Sequence, residues 1–151
     1  FLEIKLLMTH ILETLAYLRT ERIIHRDIKL ENIFIRDSNS PIFEIVFGDF
    51  GFATQFFEDI HSSDIVYHKC GTPGYSAPEI LKYHKGLKLY DCRSDIFSVG
   101  VIFHSLYFRY LIRIFGKELF KGNHKEEVIK KNSDCIINFK SKLYQGIDPI
   151  R

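Results

Sequence analysis

At 151 residues the chain fits one ordinary domain and can bury roughly 70% of its unfolded surface. Apolar residues at 46% and charged residues at 26% exclude disordered and collagen-like classes, and a net charge of +2 gives no electrostatic reason to expect a nucleic-acid or anionic-membrane partner. Cys70, Cys92 and Cys135 are odd in number, far apart and outside any CxxC, a pattern of neither a disulfide framework nor a zinc site; a reducing compartment, the cytoplasm, is expected.

The chain starts at Phe1 inside a helical pattern and reads as a piece of something longer. Residues 1–19 have neither a basic start nor a small-residue cleavage site, so no signal peptide is expected. Leu6, Leu7, His10, Ile11, Thr14, Leu15 and Leu18 recur at helical spacing and predict an amphipathic helix over 1–19 with those residues on the core. Residues 32–36 and 43–50 alternate or run apolar around "DSNSP", which predicts a hairpin. Residues 51–75 lack sustained periodicity and are expected to form a long surface loop, a kind of segment that is usually functional. The run 96–115 is apolar enough to raise a membrane span, but His104, Arg109 and Arg113 interrupt it. A charge near a bilayer centre costs about 3 kcal/mol, so a buried core helix capped by Ser94 or Asp95 is expected. "NHKEEVIKK" predicts a short helix, with acid early and lysine late as the helix dipole favours.

Between the first helix and the hairpin, "IIHRDIKLENIFI" (23–35) interrupts an isoleucine-rich stretch with a dense cluster of charge. Antiparallel pairing of the hairpin brings Asn32 and Asp49 to one end, and Asp27 and Lys29 lie on the loop leading into it. Hard oxygen ligands such as Asp49 and Asn32 suit Mg²⁺, which keeps substrate phosphates in its shell. Lys29 supplies a point charge for phosphate. Asp27 is left to accept a hydrogen bond from a hydroxyl nucleophile. This is the set that phosphoryl transfer needs.

"HRDIKLEN" (25–32), "DFG" (49–51), "CGTPGY" (70–75), "APE" (77–79) and "DIFSVG" (95–100), in that order, resemble the eukaryotic protein kinase family over nearly the whole chain. The resemblance implies a mainly α fold with a small β-hairpin, spanning 1–151: the C-terminal lobe of a kinase domain with the N-terminal lobe absent. It implies an ATP- and Mg²⁺-dependent serine/threonine protein kinase acting on protein substrates with a Ser or Thr acceptor. In that likeness Asp27 is the catalytic base and Lys29 steadies the γ-phosphate, a lysine position that favours Ser/Thr over Tyr kinases. Asn32 and Asp49 are the Mg²⁺ ligands, Phe34 packs under adenine, Thr72 bonds the catalytic loop, and Glu31 meets a basic residue before the acceptor.

The same resemblance assigns His25 a packing role against Phe50, Asp95 the backbone N–H groups of the catalytic loop in addition to capping, and Arg26 a phosphate on the activation loop. His68 stands where many kinases carry a phosphorylated threonine, so Ser62 or Ser63 is expected to supply the phosphate, or Glu58, Asp59 or Asp64 to replace it. Phe97 replaces the usual Trp, an insertion is expected around Tyr107 to Phe115, and the pairing of Glu79 with Arg151 departs from the usual spacing. The Gly-rich loop and the strand lysine that hold the α- and β-phosphates are not within these residues, so negligible activity is expected of residues 1–151 alone. The alternative is a lone lobe acting as a non-catalytic binding or scaffold module.

Overall fold

The computed structural model describes residues 2–36, 44–56, 68–84, 90–112, 118–137, 139–140 and 144, with backbone alone at 109–112. The elements run α1 (Leu2–Thr20), β1 (Ile23–Ile24), β2 (Ile33–Ile35), β3 (Ile45–Phe47), β4 (Thr54–Gln55), α2 (Pro78–Leu81), α3 (Arg93–Ile112) and α4 (Lys125–Asp134). Short 3₁₀ turns at Leu30–Asn32 and Phe50–Phe52 lie before β2 and before β4. Helix dominates, as expected, with two small antiparallel sheets.

The helical spacing in α1 buries Ile11, Leu15 and Leu18. Leu6, expected on the same face, is 43% exposed; in that half of α1 it is Leu7 and Met8 that pack against the core. Ile11, Leu15 and Leu18 pack with Ile28, Val99 and Ile102 in one cluster, while Ile24, Phe56, Ala77, Ile80, Tyr83 and Tyr90 form a second. Full burial of each isoleucine contributes about 2 kcal/mol. Ile24 and Ile28 anchor the intervening charged loop in both clusters at once, which answers why so polar a segment is flanked by isoleucine.

The hairpin forms with the register Ile33↔Phe47, Phe34↔Val46 and Ile35↔Ile45. Its turn, residues 37–43, lies outside the described residues. Part of the expected long loop is ordered differently: Thr54 and Gln55 form β4 against β1, pairing Ile24 with Thr54 and Ile23 with Gln55. A two-residue strand whose partner lies thirty positions upstream leaves no periodicity to read.

The apolar run 96–115 lies largely within α3, and among the described residues no helix is long and apolar enough to cross a membrane. Its N-terminus corrects the expected cap. The Asp91 carboxylate accepts from the Arg93 amide at 2.9 Å and Ser94 Oγ donates to the Asp91 carbonyl at 2.8 Å, so Asp91 provides the capping acceptor. Asp95 is thereby released for another task. Phe97 stacks on Phe120 with centroids 6.2 Å apart, an aromatic contact that needs no indole. Of the expected insertion, 107–112 continue α3; residues 113–117 lie outside the described residues, as does Arg151.

Pro78 occupies the first turn of α2, where its missing N–H costs nothing. α4 is tied to the preceding chain by one buried side chain, Asn132, which is fully shielded from solvent. Its Oδ1 accepts from the Gly74 amide and its Nδ2 donates to the Ser76 carbonyl, both at 2.9 Å. Asn132→Ala strands two main-chain groups, each costing about 1–3 kcal/mol when buried unpaired. The variant should unfold at lower denaturant concentration with an unchanged m-value.

Candidate functional site

Two left-handed residues shape the polar loop. Arg26 sits at φ 68 and Asp49 at φ 56, conformations that non-glycine residues adopt at a cost of about 1–3 kcal/mol and hold only where surroundings enforce them. For Arg26 the enforcing group is Asp95. Its carboxylate, 2% exposed, accepts from the His25 amide at 2.7 Å and the Arg26 amide at 2.9 Å. Burial pushes the Asp95 carboxyl up, and the two amide bonds and the nearby positive charge oppose that. For Asp49, its own Oδ1 accepts from the Gly51 amide at 3.3 Å.

His25 joins these two turns. The Asp27 amide can only donate, so His25 Nδ1, 3.3 Å away, accepts, and Nε2 carries the proton that it donates to the Gly48 carbonyl at 2.9 Å. Its ring lies 4.7 Å from that of Phe50, the packing partner expected of it. The histidine is a strut between loop and hairpin.

Asp27 is the centre of the cluster. It is 4% exposed, and its carboxylate accepts from Lys29 Nζ at 2.9 Å and Thr72 Oγ1 at 2.7 Å. Lys29 Nζ also donates to Thr72 Oγ1 at 2.8 Å, closing a triangle of carboxylate, ammonium and hydroxyl. Burial pushes the Asp27 carboxyl up, but the bonds from the Lys29 ammonium and the Thr72 hydroxyl outweigh it and hold the group below the usual carboxylate range. The carboxylate is therefore ionised at neutral pH.

Asn32 faces the same centre. Its Nδ2 donates to the Asp27 carbonyl at 2.9 Å and lies 3.4 Å from Oδ2. With the nitrogen so committed, the amide oxygen is directed away from Asp27 as a hard donor. The Gly48 amide donates to the Asn32 carbonyl at 2.9 Å, extending the hairpin ladder so that Asp49, which is exposed, follows directly beside Asn32. One amide oxygen and one carboxylate at a common edge fit a hard divalent cation that keeps much of its shell for phosphate. Phe34, 52% exposed, lies beyond them with its ring over Gly48; a Cβ on Gly48 would come within 2.6 Å of it. Glu31 is exposed, and its charge together with that of Glu118, after the effect of burial, pushes the Tyr75 phenol up.

Of the residues singled out in the sequence, Asp27, Lys29, Asn32 and Thr72 are brought into direct contact, and Asp49 directly follows Gly48, whose amide bonds the Asn32 carbonyl. Arg26 donates to the Phe52 carbonyl through Nε and to Tyr90 Oη through Nη1 at 2.9 Å. Residues 58, 59 and 62–64, the candidates to face Arg26, lie outside the described residues. Sequence reading missed Asn132 and Tyr90. Asn132 left a signal, a polar residue four positions after the half-buried Val128 on one face of α4; Tyr90 left none.

Residues 2–148 match the family model described as protein kinase domain. Among curated proteins the chain is 36% identical over 135 residues to probable serine/threonine-protein kinase 2 of Plasmodium falciparum, covering 89% of this chain and 23% of that protein. It is 33% identical over 153 residues to serine/threonine-protein kinase 33 of Mus musculus (96% of this chain, 28% of that protein). It is 39% identical over 143 residues to calcium-dependent protein kinase 5 of Plasmodium berghei (93% and 22%). The chain thus spans about a quarter of the length of these relatives.

Proposed function

Since this chain belongs to the protein kinase domain family, we propose that residues 1–151 are the C-terminal lobe of a serine/threonine kinase that transfers the γ-phosphate of ATP to Ser and Thr hydroxyls of proteins. The observation that carries this reading is the ionised Asp27 carboxylate held between Lys29 and Thr72. An acceptor oxygen in that position orients a substrate hydroxyl and takes its proton as the phosphate arrives. Lys29, already shared between Asp27 and Thr72, offers its positive charge to the γ-phosphate. Asn32 and Asp49 would hold Mg²⁺, which when bound neutralises phosphate charge. Phe34 presents an exposed ring for adenine, and Glu31 offers a carboxylate to a basic residue ahead of the acceptor.

The protein works in the cytoplasm on protein substrates, with neither nucleic acid nor membrane as partner. The groups that hold the α- and β-phosphates belong to an N-terminal lobe outside these residues, so the 151 residues alone transfer negligible phosphate. The test is the complete protein with radiolabelled ATP, Mg²⁺ and paired peptides differing only in a Ser, Thr or Tyr acceptor. Label should enter the Ser and Thr peptides and vanish with EDTA. Labelling only of the Tyr peptide, or equal labelling in EDTA, would refute the assignment.

A further inference from the structure

Thr72 reaches the Asp27 carboxylate from a tight turn whose far end is held by α4. The Thr72 carbonyl accepts from the Tyr75 and Ser76 amides, both at 3.1 Å, and Ser76 Oγ lies 3.1 Å from the same oxygen, so residues 72–76 close on themselves as one unit. Asn132 grips that unit on either side of Tyr75. Its side-chain oxygen takes the Gly74 amide and its nitrogen the Ser76 carbonyl. Ser98 of α3 adds a further tie, donating to the Tyr75 carbonyl at 2.8 Å.

A buried asparagine that satisfies two main-chain groups is by default a structural fastener. Two features assign Asn132 more than that. It is the one buried side chain of α4, at a place where an apolar residue would anchor the helix with no amide to desolvate. Its two bonds are also directional: they fix the turn at hydrogen-bond geometry, where an apolar contact would let it slide. We propose that Asn132 is a positioning residue for phosphate transfer: by locking the Thr72–Ser76 turn to α4 it holds the Thr72 hydroxyl on the Asp27 carboxylate. The path runs from Asn132 through Gly74 and Ser76 to Thr72 and Asp27, over hydrogen bonds of 2.7 to 3.1 Å. A shift of α4 is thereby felt at Asp27, which without the Thr72 hydroxyl keeps Lys29 as its side-chain donor at 2.9 Å and is free to turn toward it. This inference rests on the kinase reading above.

The experiment is a double-mutant cycle in the complete protein with Asn132→Ala, Thr72→Val and the pair, each shown by circular dichroism to be folded at the assay temperature. With Thr72 present, Asn132→Ala should lower kcat about tenfold with little change in KM for ATP, less than the roughly 100-fold of an ångström's misplacement because Ser98 still holds the turn. In the Thr72→Val background the same change should cost less than about twofold, since no hydroxyl is left to misplace. A fastener that only kept the protein folded would cost the same factor in both backgrounds, and that result overturns the proposal. Amide exchange in the unaltered protein decides even if Asn132→Ala fails to fold: the Gly74 amide should be protected along with the interior amides of α4, and exchange at the rate of an open loop overturns the lock. A parent that transfers no phosphate sinks the kinase reading and this inference with it; a parent that transfers phosphate while the cycle shows equal losses sinks the inference alone.

Discussion

Replacing Asp27 by Asn in the complete protein should lower kcat about 10³-fold, the usual contribution of a positioned acid or base, while leaving the fold in place. The substitution keeps the shape that Thr72 and Asn32 pack around, yet removes the charge that Lys29 and Thr72 address at 2.9 and 2.7 Å. KM for ATP should change little, because in the proposed function Asp27 addresses the acceptor hydroxyl and not the nucleotide. The pH profile gives an independent check. The Asp27 carboxyl is held below its unfolded value of about 3.9, so its stabilising contribution is fully present above that value and is lost as pH falls through the lower, folded one. Activity should therefore show no acid limb from Asp27 between pH 5 and 8. In the kinase reading Asp27→Asn loses that factor in transfer and leaves any partner binding intact; a scaffold module would lose nothing measurable.

Gly71→Ala should be the most damaging small change to the fold. Gly71 lies at φ +88, and a Cβ there would meet the Arg26 carbonyl at 2.5 Å and Ser76 Oγ at 2.6 Å. The left-handed backbone costs alanine about 1–2 kcal/mol, and overlap with a main-chain oxygen in a packed region about 1–3 kcal/mol more. A total of about 3 kcal/mol corresponds to a fall in Tm of about 10 °C for a chain this size. Thermal melting measures that loss. Because Gly71 precedes Thr72, relief of the overlap also moves the hydroxyl off Asp27, so the complete protein carrying the substitution should lose activity at 25 °C even where it remains folded.

Much of this was legible in the sequence for stated physical reasons. α1 and the hairpin announce themselves by periodicity, and the polar rim follows from hairpin register, since Ile33↔Phe47 forces Asn32 and Asp49 to one end. The triangle of Asp27, Lys29 and Thr72 was legible only through family resemblance, because Thr72 is 45 residues from Asp27. What stayed hidden depends on long-range pairing of short or solitary groups. β4 has two residues and Tyr90 acts through one hydroxyl. Sequence spacing suits Asp95 to a cap as well as to an acceptor for the loop; Asp91, four residues before it, does the capping. Local spacing cannot assign a carboxylate to a helix end or a distant loop when both choices satisfy it.

The suspension of the polar loop from Asp95 has a thermodynamic corollary. That carboxylate rises from a helix whose next turns, Val99 and Ile102, are part of the hydrophobic interior, so the machinery shares the free energy of the whole body. A change that displaces Asp95 from the loop therefore also disturbs that interior. Local adjustment is left to the hairpin rim and the turn after it, where the rings of Phe34, Phe50 and Phe52 are about half open to water.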